Sequence, residues 1–135
     1  MRMRAKSRLY TYDKNDIHLV WDDIKPLIER ALQHSYTHKL GDIADGLLSG
    51  NMQLWVYGDF WAVMVTQVLE DHHCKYCLLL TLAGDNFEEY RDYLEVIEAW
   101  AKAEGCKELR VYGRRGWLRK LKDFKEQYTL LTREI

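Results

Sequence analysis

Residues 76–117 read YCLLLTLAGDNFEEYRDYLEVIEAWAKAEGCKELRVYGRRGW, and the succession of element types inside them decides the fold. Cys77 to Ala83 is an aliphatic and β-branched run of the length expected of a strand buried on both faces. Gly84-Asp85-Asn86 breaks it. Apolar residues then recur at Tyr90, Tyr93, Leu94, Ile97, Trp100 and Ala101, steps of three and four that line one side of a helix. Gly105 ends that helix, because glycine takes a left-handed backbone at no steric cost. Glu108 to Tyr112 follows as a second strand. Strand, crossover helix and strand make a βαβ unit, and the loop leaving its first strand is where such units hold ligands.

Working outward, the 135 residues suffice for one domain with a proper core. An apolar fraction of 47% beside 30% charged residues is that of a globular protein, and the single proline argues against long irregular loops. No run reaches the roughly 18 apolar residues of a membrane span, and MRMRAKSR at the start precedes no apolar signal core, so an intracellular site of synthesis is expected. Three cysteines fit a reduced compartment better than a disulfide framework. A net charge of -1 gives no general drive towards nucleic acid.

Residues 1–7 read as a basic arm and 8–135 as a single domain. Arg8 to Tyr12 suits a short strand. Ile17, Val20, Trp21, Ile24, Leu27, Ile28, Ala31 and Leu32 fall at helical spacing, capped by Asn15 or Asp16, with Pro26 predicting a kink or two helical pieces. Leu40, Ile43, Ala44, Leu47 and Leu48 make a second amphipathic stripe. The period then changes to two: Gln53 to Tyr57 and Trp61 to Leu69 form a hairpin about Gly58-Asp59. After the βαβ unit, Arg115 to Phe124 suits a short helix and Tyr128 to Thr132 a last strand. The class is α+β, a mixed three-layer sandwich whose central, mostly antiparallel sheet is flanked by helices.

This order resembles the GNAT-type N-acetyltransferase fold. The blocks QLWV (Gln53 to Val56), AVMVTQV (Ala62 to Val68), EAWAKAEGC (Glu98 to Cys106) and YGRRGW (Tyr112 to Trp117) are similar to those of small GNAT-like proteins of bacteriophages, some of them virion-associated or internal virion proteins. The resemblance implies a phage or prophage origin. It also implies where acetyl-CoA would bind: a loop of the form Gln/Arg-x-x-Gly-x-Gly/Ala at the start of the third helix.

The equivalent stretch here is Ala83, Gly84, Asp85, Asn86, Phe87 and Glu88, followed by Glu89. It keeps one glycine, opens with no basic residue, and with Asp92 sets four carboxylates where a pyrophosphate would lie. Like charges a few ångströms apart repel by about 1 kcal/mol or more even in a screening medium. Acidic residues in a first helical turn also serve simply to offset the helix dipole. Both readings point away from the cofactor. No tyrosine lies in Arg115 to Phe124 to act as the general acid such enzymes use, and no catalytic residue is assigned.

Three other groups of residues stand out. Arg114, Arg115, Gly116 and Trp117 suit an anion or partner contact, or a turn whose arginines pair with the acidic loop. Trp55, Tyr57 and Trp61 cannot all face inward if the hairpin alternates, which makes them candidate interface aromatics. Asp71-His72-His73-Cys74-Lys75-Tyr76-Cys77 concentrates metal-ligand types, yet lacks a second ligand pair; it reads as a polar turn before a buried cysteine, with no metal assigned. The function expected is a GNAT-like phage protein without acetyltransferase activity, needing no cofactor. It would contact other virion proteins in assembly, the internal core or genome ejection, and reside in the virion after synthesis in the host cytoplasm. An acetyl-CoA-dependent N-acetyltransferase with a divergent loop and a host-takeover inhibitor that binds a host protein are the alternatives.

Overall fold

The computed structural model describes residues 9–33, 35, 37–84, 93–112, 121, 123–127 and 131–135. Five strands, β1 (Leu9–Tyr12), β2 (Met52–Tyr57), β3 (Ala62–Glu70), β4 (Lys75–Gly84) and β5 (Glu108–Val111), lie side by side in chain order. The pairs β1–β2, β2–β3 and β3–β4 are antiparallel, and β4–β5 is parallel. Helices α1 (Ile17–Leu32) and α2 (Leu40–Ser49) come between β1 and β2, and α3 (Tyr93–Ala103) makes the crossover from β4 to β5. The expected α+β sandwich with one βαβ unit is therefore the observed architecture.

Alternation along the strands assigns each side chain to a layer. Leu54, Val56, Val63 and Val65 meet Ile17, Val20, Ile24 and Ile28 of α1 and Ile43 and Leu47 of α2. On the opposite face Trp55, Met64, Cys77 and Leu79 meet Ile97 and Ala101 of α3, with Cys106 beside them. Each such aliphatic side chain contributes about 1.5–3 kcal/mol by leaving water. Because helices cover both faces, Trp55 and Tyr57 are buried, and of the three hairpin aromatics Trp61, at 50% exposure, faces solvent. Trp55 stands edge-on to Trp100 at 5.3 Å and donates its indole N–H to the Thr66 hydroxyl at 3.0 Å, which satisfies the buried ring.

Three local expectations are corrected. Of the two outcomes expected at Pro26, separate helical pieces are not formed: helix α1 runs through it as a single element. Pro26 and Asp22, whose carbonyl loses its helical partner, both lie on the exposed side. Water can satisfy that carbonyl while four buried aliphatic side chains hold the other face. The hairpin turn spans 58–61 rather than two residues: Tyr57 pairs with Ala62, and Trp61 N–H donates to the Tyr57 carbonyl at 3.0 Å. Gly58 and Phe60 both take positive φ, 61° and 59°. A bulky residue there is strained, and its ring is held by packing against the α1–α2 layer. Finally, the expected helix Arg115 to Phe124 lies mostly outside the described residues, and Leu121, Asp123 and Phe124 are not helical. Residues 1–7 and most of the strand expected at Tyr128 to Thr132 also lie outside them, and Leu131 and Thr132 are not in a strand.

Gly105 closes α3 as expected, with φ 91°. Cys106 then turns the chain inward, its N–H donating to the Ala101 carbonyl at 2.9 Å, and Lys107 N–H reaches the Lys75 carbonyl at 2.7 Å to start the parallel ladder.

Candidate functional site

In the βαβ unit the ligand-holding position lies at the far end of β4, and two features shape it. The β3–β4 ladder slips between Val65 and Thr66: Val65 stands opposite Thr81 and Thr66 opposite Leu79, so Leu80 is an extra residue in β4. On the other side, β4 and β5 pair only from Tyr76–Glu108 to Leu79–Val111. Among the described residues, β4 then continues to Gly84 with β3 alone. The two parallel strands stop pairing at the level of the bulge, which is the arrangement that opens a sheet to a ligand.

Other side chains mark the same region. Thr81 is buried, and its hydroxyl has no hydrogen-bond partner among the described atoms. Tyr93, at the described start of α3, is buried against Tyr57, with ring centroids 4.7 Å apart, beside Ala62 and Leu121. Trp61 packs edge-on to Tyr57 at 5.5 Å. Tyr112, just past β5, is 64% exposed. Two of the sequence-predicted interface aromatics, Trp55 and Tyr57, thus serve as core, and Trp61 is the exposed one.

Of the predicted cofactor loop, Ala83 and Gly84 are strand residues, opposite Val63 and Ala62 of β3. Asp85, Asn86, Phe87 and Glu88 lie outside the described residues, as do Arg114, Arg115, Gly116 and Trp117. The placement of Gly84 bears on the fit of acetyl-CoA. A phosphate cradle needs glycines in the loop itself, free to bring backbone N–H groups close to the anion. Here the one glycine of the segment belongs to the sheet, opposite Ala62.

The opposite end of β4 carries a group that sequence reasoning missed. Arg110 of β5 donates from Nη1 to Asp71 Oδ2 at 2.6 Å and from Nε to Glu108 Oε1 at 2.8 Å. Its guanidinium carbon lies 3.8 Å from the centroid of the Tyr76 ring, so the cation is also stacked on an aromatic face. The hydrogen bond from Arg110 holds the Asp71 carboxyl well below the usual carboxylate range, helped by the Cys74 N–H; the same guanidinium lowers Glu108. Asp71 and then Glu108 raise Arg110 in turn. Burial pushes the Tyr76 phenol up, and it pushes the Cys77 thiol up to about 12. Cys106 is raised by burial too. A usable signal existed for part of this group: Glu108 and Arg110, two apart in a strand, share a face. Asp71 is 39 residues away, beyond any local pattern.

Comparison with known proteins places the architecture. No protein-family model and no curated protein sequence matches the chain. Among solved structures, it is similar to an aminoglycoside acetyltransferase from an uncultured soil metagenomic sample in complex with sisomicin, at TM-score 0.66 and 12% identity over 98% of this chain and 99% of that one. A ribosomal-protein-alanine N-acetyltransferase from Brucella melitensis biovar Abortus 2308 gives TM-score 0.64 and 10% identity over 93% and 99%. An aminoglycoside N-acetyltransferase in complex with CoA gives 0.60 and 10% over 94% and 93%. At such identities the likeness is one of fold: the chain has the GNAT acetyltransferase architecture.

Proposed function

We propose that this chain is a phage-encoded protein that uses the GNAT architecture for protein contacts in the virion, in assembly, the internal core or genome ejection, without acetyl transfer and without a cofactor. One observation carries the reading. Where the fold would cradle a pyrophosphate, the glycine is tied into the β3–β4 ladder and the residues that follow bring Asp85, Glu88, Glu89 and Asp92. Negative side chains disfavour a nucleotide thioester through both charge and desolvation. The similarity of four sequence blocks to phage GNAT-like proteins supports the setting, and the exposed Trp61 and Tyr112 supply aromatic area for a partner.

A second reading, an acetyl-CoA-dependent N-acetyltransferase with a divergent loop, is favoured by the parting of β4 from β5 beyond Leu79 and Val111. Calorimetry with acetyl-CoA separates the two. The expected result is no heat of binding at micromolar concentrations; micromolar affinity would establish the second reading. Mass spectrometry of purified particles tests the setting, and absence of the chain from them would remove the virion role.

A further inference from the structure

The turn between β3 and β4 reads in sequence as a polar connection, but the fold brings a third kind of ligand to it. His73, Cys74 and Glu108 each offer one donor atom, and these atoms all lie within 4.8 Å of one another. We propose that they form a zinc site that clips the β3–β4 turn to the start of β5, with water completing the coordination.

Ligand chemistry is the first argument. Thiolate, imidazole and carboxylate together form a borderline-soft set suited to zinc rather than to calcium or magnesium, which take oxygen ligands. Distance is the second. His73 Nε2 stands 3.5 Å from Glu108 Oε2, long for a good hydrogen bond. Two ligands bound to one tetrahedral ion at ~2.0–2.2 Å are separated by roughly 3.3–3.6 Å. The pair is already at the edge of such a tetrahedron, and the thiol sulfur lies within 4.8 Å of both.

The surroundings hold the ligands in place. Asp71 Oδ1 accepts from the backbone N–H of His73 at 2.8 Å and of Cys74 at 3.0 Å, and Asp71 N–H donates to the Cys74 carbonyl at 3.1 Å, so the two-ligand segment is fixed as a turn. Arg110 engages Glu108 through Oε1, leaving Oε2 directed at His73, and its Nη2 lies 3.6 Å from Cys74 Sγ. Such outer contacts orient metal ligands. The nearby cation does not oppose a metal once all charges are counted. Asp71, Glu108 and a Cys74 thiolate balance Arg110 plus a divalent ion. The His73 side chain is 71% exposed, and the open side admits water as the fourth ligand.

Cobalt(II), added alone to the reduced, chelator-treated chain, is the test. The expected result is the visible spectrum of a tetrahedral ion with a thiolate charge-transfer band, saturating at one ion per chain and displaced by zinc. Cys74→Ser should abolish that band. His73→Ala should weaken binding at least as much as loss of an outer-shell partner does, roughly 10–100-fold. Both side chains lie outside the core, and circular dichroism checks that each variant folds. Zinc should also raise the Tm of the parent chain by several degrees and leave that of His73→Ala unmoved. A weak octahedral spectrum, no uptake, or a charge-transfer band that survives Cys74→Ser would each overturn the site.

Discussion

The two ends of β4 are opposites. At its C-terminal end the strand has parted from β5, carries a buried hydroxyl with no hydrogen-bond partner among the described atoms, and leads into a run of carboxylates. At its N-terminal end it is still paired with β5, and an arginine ties Asp71 to Glu108 over the ring of Tyr76. Acetyltransferases of this fold use the first end. In this chain the cross-linked charges are at the second. A fold thus fixes where a site is available, while the side chains decide which available place is used.

Both ends of β4 depend on a shared frame. Leu79 is buried in the α3 layer at the level where β4 and β5 cease to pair. Leu79→Ala should cost about 2–5 kcal/mol by leaving a cavity, and both ends should loosen together in hydrogen exchange. Protection lost at one end alone would show that they are independent units.

A smaller effect sharpens the contrast at the cofactor end. Neutralising it with Asp85→Asn, Glu88→Gln and Glu89→Gln together should raise affinity for acetyl-CoA from undetectable to measurable in calorimetry. If charge is not what excludes the cofactor, the variant will bind no better than the parent.

At the other end, Arg110→Met should lower Tm at neutral pH by several degrees, because it leaves two carboxylates without their partner. The sign of the pH dependence follows from depressed carboxyl pKa values in the folded chain. The stabilisation is complete above the unfolded carboxyl pKa of about 4 and is lost as pH falls through the lower folded values. Thermal melts of the two proteins should therefore differ by a constant amount near neutrality and converge in acid.

Thiol labelling gives a finer discrimination. Cys77 is fully buried, with its pKa pushed up to about 12, and Cys106 is buried too, whereas Cys74 is half-buried in the turn. One equivalent of an alkylating reagent should react readily in the folded chain at pH 8, mapping to Cys74 by peptide mass, and the other two only on unfolding. The smallest effect concerns backbone alone. Gly105→Ala, at φ 91° with its nearest atom 3.6 Å away, should cost roughly 1 kcal/mol. Gly58→Ala should cost more, because the added Cβ would also meet Trp61 at 2.4 Å.

The βαβ unit was legible because its signals are local: an apolar run, a 3.6-residue period and a terminating glycine each depend on neighbours in the chain. The layer order followed from the same periods. Which hairpin aromatics face out was not legible, because period two says that faces alternate but not whether both faces are covered; α3, which buries Trp55, lies some 40 residues further on. Whether Pro26 would divide the helix was not legible, because the cost of a missing hydrogen bond depends on whether the freed carbonyl meets water.

What the sequence determined by itself was the elements from β1 to β5, their order, and the negative charge of the segment after Gly84. Those are properties of residues close in the chain. The tertiary structure decided that Gly84 belongs to the sheet, that β4 and β5 part at Leu79, and that Asp71, His73, Cys74, Glu108 and Arg110 meet. Each of these depends on strand register, which is fixed only when the strands pack into a common core.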